Sequence, residues 1–350
     1  MDNLTHTLVG VTLVRAGLGA RTAGATSAMI LASNLPDVDI VAAFDGGLAY
    51  FAAHRGWTHG PLGAATFAVL AALLVVGWRA ARAYSCPHAW KDFGALCGVA
   101  VTGTLLHSLM DLQTSYGTRL LSPFVDTWFA LDWLPIIDVY LWALLVIGFT
   151  AARLRPGART TIARVVVAAI VCFYGVRATA HQVALTIAAS TRADGTSSPC
   201  ASAPTMTRHP TVIEAAHAGP DACLQAAALP SFFSPFQWRL VRQQSDGYEL
   251  RDVTLGRGTT AQIFVPSQSD VWVALARRAP TARVFYAFSR FPATRSAALP
   301  DGTRRVRAMD VRFLGPSPRG LEPDPQARAP FAMTIEIASD GTVRSERLGN

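Results

Sequence analysis

The stretch GWTHGPLGAATFAVLAALLVVGW, residues 56–78, contains no Asp, Glu, Lys or Arg in 23 positions. A helix of that length spans the roughly 30 Å of hydrocarbon in a bilayer. The pattern recurs downstream. Residues 93–110 are an 18-residue uncharged run, residues 138–152 continue the apolar stretch 133–137, and residues 165–191 are interrupted only by Arg177. These four segments predict transmembrane helices. Two earlier segments, 3–14 and 22–36, are shorter. They predict a helical hairpin that either spans, with Arg15 and Arg21 snorkelling, or enters part-way.

Composition agrees. Charged residues make up 15% of the 350, against roughly 25% in soluble proteins, while 51% are hydrophobic and the mean hydropathy is +0.29. That excludes a disordered chain and argues against an ordinary cytosolic enzyme. The first 190 residues hold only 12 of the 31 Lys/Arg and 9 of the 23 Asp/Glu, so the remainder reads as soluble. The net charge of +8 does not imply nucleic acid, because the arginines form no aromatic-interleaved reader module. They collect in loops instead. Arg79, Arg82, Lys91, Arg153, Arg155, Arg159 and Arg164 fall on one face of the predicted bundle, Arg55 and Arg119 on the other. By the positive-inside rule the first face is cytoplasmic. Residues 191–350 then lie outside the cytoplasm, and Trp57, Trp128 and Trp133 form an aromatic belt at that outer face. No cleavable signal peptide is expected, since the opening Met1-Asp2-Asn3 carries no basic n-region.

The expected architecture is an α-helical membrane bundle of about six helices, the first two short, followed by a small β-rich domain. Residues 1–190 would form the membrane domain, 191–230 a linker with a short helix around 211–227, and 231–350 the β-rich domain. Strands are expected at 236–241, 262–265, 271–276, 282–289, 305–313 and 333–337, with turns at 245–247 and 339–341. The five cysteines show no CxxC spacing. Cys97 and Cys172 lie in apolar runs and read as buried, reduced thiols. Cys200 and Cys223 can pair if their half is extracytoplasmic.

Four polar clusters interrupt the membrane half: His6; Asn34-Leu35-Pro36-Asp37-Val38-Asp39; His54-Arg55-Gly56-Trp57-Thr58-His59-Gly60; and His107-Ser108-Leu109-Met110-Asp111. His107 and Asp111, four apart on a helix, share a face and make a sensible half-site for a borderline divalent metal. Such a pair alone also occurs as a simple hydrogen-bonded couple. Asp37 and Asp39 follow a helix-ending proline and can bind metal, one as ligand and the other behind it, or serve as turn and cap residues. His54 and His59 need a turn at Gly56 to converge. The common depth of the clusters favours a metal: a topology argued from loop charge alone puts His6, Asp37, Asp39, His54, His59, His107 and Asp111 at one membrane face.

These residues carry a resemblance. Asp2, Leu4-Thr5-His6, Leu35-Pro36-Asp37 with Asp39, His54-Arg55-Gly56 with Thr58-His59, and His107 with Asp111 followed by Thr114, Gly117 and Pro123-Phe124 resemble, over residues 1–140, the YdjM-type family of bacterial inner-membrane proteins. The resemblance implies a metal-dependent hydrolase with His6, Asp37, His54, His59, His107 and Asp111 as ligands of one or two divalent ions, zinc first and manganese as the alternative. Zinc-dependent phospholipase C and P1-type nucleases are a more distant likeness. Gly60 departs from the family pattern, where a Ser is expected. The segment starting Ser234-Pro235-Phe236 resembles the extra domain of longer members.

The expected activity is hydrolysis of a phosphoester or other ester in a lipid-like substrate at the outer face of the bacterial inner membrane. Asp39 or Asp111 would take a proton, and Arg55, with Arg119, would steady an anionic group. Membrane lipid is the expected surrounding partner, and the sequence names no protein partner for the β-rich domain. The competing readings are a non-enzymatic metal-binding sensor or assembly factor, and a transporter using the cluster as an ion relay.

Overall fold

In the computed structural model, which describes residues 1–82, 89–191, 199–200, 223–314 and 331–349, Asp2 starts the first helix. Its carboxylate accepts the Thr5 backbone N–H at 2.9 Å, the contact that makes Asp a good N-cap. Helix α1 runs Asn3–Ala16 and α2 runs Ala25–Ala32, followed by a 3-10 segment, Leu35–Asp45. A short α3, Gly47–Ala53, and a single turn, Trp57–His59, lead into α4, Pro61–Arg82. Next come α5, Phe93–Leu112, α6, Val139–Leu154, and the long α7, Arg159–Ser190.

The chain divides into two units. Met1–Val41 with Ala53–Thr179 makes the first, Ala42–Ala52 with Ala180–Asn350 the second. In the first unit small residues let the helices approach closely, as association between apolar helices in lipid requires. Gly10 of α1 faces Met29 and Ser33, and Gly103 of α5 faces Ala32 and Met29, leaving no room for a Cβ at either. Ala28 and Met29 of α2 are fully buried among Ala72, Val75 and Val76 of α4 and Leu96 and Val99 of α5, and Ala32 packs with Ala68, Ala71 and Ala100. Outward-facing Val69, Leu73, Leu74, Val146, Ile147 and Val165 give the bundle the apolar exterior that lipid calls for.

Among the described residues four segments are long and apolar enough to cross a membrane: Ala25–Asp45, Pro61–Arg82, Trp90–Leu112 and Pro156–Ser190. Four of the expectations are refined or changed. The second segment of the hairpin reaches crossing length because the 3-10 stretch prolongs α2 through Asp45. Conversely α6, with 16 residues, rises about 24 Å and falls short of a full span. Trp128 is no belt residue: it is buried, with the Arg119 guanidinium 5.4 Å from its ring centre. Cys172 is exposed on α7 rather than buried.

The second unit holds two four-stranded antiparallel meanders. The first sheet orders β1 (Gln225–Pro230), β2 (Gln237–Gln243), β3 (Gly247–Thr254) and β4 (Gly258–Pro266). The second orders β5 (Pro292–Ala298), β6 (Arg304–Asp310), β7 (Ala332–Ile337) and β8 (Val343–Leu348). One face of the first sheet packs Ala226, Ala228, Trp238 and Leu240 on Ala180, Ala184 and Ala188 of α7. Its other face packs Ala227, Leu229, Val241 and Tyr248 against Phe291, Ala293 and Val311.

Two expected strands are helices. Residues 271–276 form α8, Val271–Ala276, because the Asp270 carboxylate caps it by accepting the Val273 N–H at 2.9 Å. Residues 282–289 fall in α9, Pro280–Phe288, which opens on a proline at its first turn and buries Ala282, Phe285 and Phe288 at helical spacing. Of the helix expected around 211–227, residues 211–222 lie outside the described residues, and Gln225 onward is strand β1. Cys200 and Cys223 form a disulfide, joining the chain after α7 to the start of β1.

Asp310 gives the β domain an acid-sensitive joint. Burial disfavours its charge, but Arg312 and the N–H groups of Arg290 and Arg312, each 3.0 Å away, outweigh that and hold the carboxyl below its ordinary value. A depressed carboxylate contributes stability above the unfolded pKa of about 3.9, and that contribution is lost as pH falls through the lower folded value. The domain's thermal midpoint should therefore drop as pH falls below about 4. Asp310→Asn should lower the midpoint at neutral pH by the equivalent of about 3–5 kcal/mol, the usual penalty for stranding one member of a buried ion pair, and should blunt the acid dependence. Circular dichroism melts of the full chain in detergent at two pH values check both.

Candidate metal centre

The centre is assembled from three stretches that the fold brings together. The turn after α2 supplies Asp37, the single turn before α4 supplies His59, and the end of α5 supplies His107 and Asp111 one helical turn apart. One donor atom from each of the four lies within 4.8 Å of the others. His59 Nε2 is 3.4 Å from Asp37 Oδ1 and 3.3 Å from Asp111 Oδ2. His107 Nε2 is 3.5 Å and 3.4 Å from the same two oxygens, and the two Nε2 atoms are 3.1 Å apart. A tetrahedral ion with bonds of about 2.0–2.1 Å requires donor separations of about 3.3–3.4 Å. The spacing fits.

The surrounding hydrogen bonds fix the tautomers. His107 Nδ1 is 2.8 Å from the Ser33 carbonyl oxygen, which can only accept, so Nδ1 carries the proton and Nε2 presents a lone pair. Thr58 Oγ lies 3.2 Å from Asp39 Oδ2, to which it donates, and 2.9 Å from His59 Nδ1, from which it accepts. His59 Nε2 is thereby left as a lone pair too. Two imidazole nitrogens and two carboxylate oxygens thus point acceptor to acceptor in a buried space, and Asp111 Oδ2 has no hydrogen-bond donor. One proton would relieve a single pair; a divalent cation satisfies all four. Asp37, with 17% of its side chain exposed, is the donor on the solvent side, and the other three are closed off.

Asp39 stands behind the centre. Its Oδ2 accepts the Arg55 backbone N–H at 2.7 Å, and its Oδ1 is 3.1 Å from His54 Nδ1. It therefore pins the whole 54–58 turn. His54, expected as a ligand, lies outside the group of four. Asp39 captures its Nδ1, and its ring is edge-on to His59 with centroids 6.3 Å apart, so it does not join the four donors. Burial, together with the neighbouring Arg55 charge, holds His54 below the ordinary imidazole value in spite of Asp39. His6 also falls outside the four. Its ring stacks on His107 at 3.9 Å between centroids, and its Nε2 is 3.4 Å from Asp111 Oδ1, the oxygen turned away from the His pair.

The two arginines are not arranged to meet an anion. Arg55 adopts the left-handed backbone region, φ 51°, which is uncommon outside glycine and marks a strained turn. The twist sends its side chain inward. Nη2 lies 3.1 Å from Asp111 Oδ1, Nη1 donates to the Gly117 carbonyl at 2.6 Å, and the guanidinium covers the Tyr116 ring at 4.6 Å. Arg119 donates to Asp126 and to the His54 carbonyl. Both are buried, and both tie loops together.

Sequence reading missed several supports. Ser108 donates to the His59 carbonyl at 2.8 Å, the Ser33 carbonyl orients His107, and the Met1 amino group contacts Asp111 Oδ1. Only Ser108, one residue from a named ligand, was visible as a candidate. Gly60 gains a reason: a Cβ there would overlap the Ser122 carbonyl oxygen, so no hydroxyl fits at that position. Among the described residues no second group of three or more His, Cys, Asp or Glu donors is close enough to hold another ion.

Comparison with known proteins places these motifs. The uncharacterized protein YfhP of Bacillus subtilis (strain 168) is 28% identical over 169 residues, covering 45% of this chain and 48% of that protein. The chain thus spans about half the length of the curated relative it matches. No solved structure matches. A family model described as YdjM inner membrane protein matches residues 1–184, a stretch that contains all four donors and the turn that carries His54. The chain belongs to the YdjM inner membrane protein family.

Proposed function

We propose that the protein is a metal-dependent hydrolase of the bacterial inner membrane, acting on a phosphoester or other ester in a lipid-like substrate at the outer face. The observation that carries this reading is the convergence of four acceptor atoms, from Asp37, His59, His107 and Asp111, with no donor among them. Zinc is the ion proposed, on the mixed imidazole and carboxylate donor set, with manganese the alternative. When bound, such an ion polarises an ester oxygen and acidifies water to a pKa near 7. The distant likeness to phospholipase C and P1-type nucleases adds nothing here, since no solved structure matches.

The chain's own residues divide the remaining work. Asp111 is fully buried, with Oδ1 facing Arg55 and Met1, so it holds charge rather than moving protons. Asp39 orients the His54 ring through Nδ1, making that imidazole, the one histidine of the turn outside the donor set, the proton-handling group. Arg55 acts through Asp111 as its counter-ion, not on substrate. His54→Ala is therefore expected to keep full metal content while hydrolytic rate falls by about 10²–10⁴-fold, the usual share of a general acid or base. Metal analysis beside turnover separates this from a ligand role, which would lose both.

Loop charge and the Cys200–Cys223 disulfide support an extracytoplasmic second unit, because disulfides persist in oxidising compartments. The hydrolase reading is tested by assaying zinc-supplemented, detergent-purified protein on phosphodiester and phospholipid esters beside His107→Ala. Turnover in the wild type and none in the variant supports it; equal turnover in both, or none in either, overturns it. One observation favours a second reading. Four protein donors complete a tetrahedron, as structural zinc sites do, whereas catalytic sites usually keep a position open. A non-enzymatic metal-binding protein would retain the ion and turn over nothing.

A further inference from the structure

The two ends of the first sheet differ in chemistry. At one end, the β2–β3 turn is Gln244-Ser245-Asp246, wholly polar. At the other, the β1–β2 connection, residues 231–236, reads Ser-Phe-Phe-Ser-Pro-Phe, and Phe232, Phe233 and Phe236 are 50%, 80% and 49% exposed. The β3–β4 turn closes at this same end, since Thr254 pairs with both Gln237 and Gly258, and it presents exposed Arg257. The Leu255 N–H donates to the Phe236 carbonyl at 2.9 Å, so the two turns form one tip. Soluble surfaces tolerate scattered apolar residues, but three large aromatics within five positions, flanked by a cation, form a patch that needs a reason.

Helix α7 tells which way the tip faces. The Arg242 guanidinium donates to the Ala188 carbonyl at 2.6 Å and that of Arg251 to the Thr191 carbonyl at 2.6 Å, so that end of the sheet sits at the helix C-terminus. Trp238 instead lies beside His181, with ring centroids 5.5 Å apart. Strand β2 therefore runs alongside the helix: four strand residues rise about 13 Å, and the helix from 181 to 190 about the same. The aromatic tip precedes Gln237 and so extends past His181, in the direction of the N-terminal part of the apolar helix α7.

We propose that the tip at Phe232, Phe233, Phe236 and Arg257 inserts into the lipid surface at which α7 emerges, with the phenyl rings among the upper acyl chains and the guanidinium at headgroup phosphates. Lipid is the occupant, because the sheet that carries the patch packs directly on the apolar helix α7 and the patch pairs aromatic rings with a cation, as interfacial anchors do. The anchor would fix the sheet's tilt on the membrane and needs no assumption about catalysis.

The test is spin-label depth in full-length protein reconstituted into phosphatidylethanolamine and phosphatidylglycerol vesicles. Cys86, Cys97 and Cys172 are replaced by Ser, and a nitroxide is placed at Phe233→Cys, at Phe236→Cys or, as control, at Asp246→Cys. The proposal expects membrane-soluble oxygen to relax the labels at 233 and 236 more strongly than a water-soluble nickel chelate, and the reverse at 246. Labels at 233 and 236 that favour the chelate as strongly as 246 would overturn it, as would labels shielded from both reagents, the result expected for a protein partner or a second copy.

Discussion

Asp111→Asn is expected to abolish stable metal binding. Its Oδ2 is one of the four converging acceptors, 3.3 Å from His59 and 3.4 Å from His107, and its Oδ1 faces Arg55 and the Met1 amino group. The amide keeps the volume and removes the charge, so the substitution isolates electrostatics from packing. An outer partner of a metal ligand typically contributes 10–100-fold to affinity. Loss of an anionic ligand with no exposure at all should exceed that range, and the variant should emerge from metal-free buffer with no bound ion. A second consequence follows from Arg55, whose buried charge loses its counter-ion. Restoring the carboxylate one methylene further out, as Asp111→Glu, should recover the ion pair without recovering wild-type affinity, because the two His nitrogens are fixed from behind by Ser33 and Thr58. Elemental analysis of the purified variants, with thermal midpoints alongside, reads both effects.

Arg55→Met is expected to destabilise the helical unit strongly. Arg55 is 5% exposed, and its guanidinium joins Asp111 of α5 to the loop at Tyr116 and Gly117, through the ring of the first and the carbonyl of the second. Methionine fills most of the space and satisfies neither acceptor. Breaking a buried pair by deleting one partner destabilises by about 3–5 kcal/mol. With about 2–4 °C of midpoint per kcal/mol in a domain of this size, the metal-free protein should melt roughly 6–20 °C lower. Arg55→Lys should recover only part, since an ammonium cannot bridge Asp111 and Gly117 while stacking on Tyr116. The double variant Arg55→Met with Asp111→Asn should be less destabilised than the sum of the two singles, because the groups share one interaction. Additive losses would show that Arg55 acts on the fold and not on Asp111.

The candidate site was largely legible in the sequence because its residues break the membrane pattern. An ionisable group beside an apolar span is costly, so His59, His107, Asp111 and Asp37 stand out by depth alone. What could not be read was which member of each pair turns inward. His54 and His59 are chemically alike, and Asp37 and Asp39 nearly so. The choice is made by the left-handed backbone at Arg55 and by Asp39 accepting the Arg55 N–H, neither of which leaves a trace in spacing. Arg55 and Arg119 read as anion-binding groups for the same reason, since only the folded loops reveal Asp111, Asp126 and carbonyl oxygens in their reach.

The helical part of the fold followed from apolar run length, and the β part less so. Residues 271–276 and 282–289 are short apolar runs, for which periodicity cannot separate strand from helix; the Asp270 cap and Pro280 decide for helix. Strand β1, Gln-Ala-Ala-Ala-Leu-Pro, has poor strand propensity. It is a strand because tertiary packing overrides that preference: its alanines let the sheet lie close on Ala180, Ala184 and Ala188 of α7.

The most direct test of the metal centre is X-ray absorption at the zinc edge on full-length protein, purified in detergent, loaded with zinc and dialysed against metal-free buffer. The four-donor centre should retain about one zinc per chain, with a nitrogen and oxygen shell at about 2.0–2.1 Å and the scattering of two imidazoles. Protein that releases all its zinc on dialysis, or that holds it through sulfur or without imidazole, would contradict a centre built from Asp37, His59, His107 and Asp111.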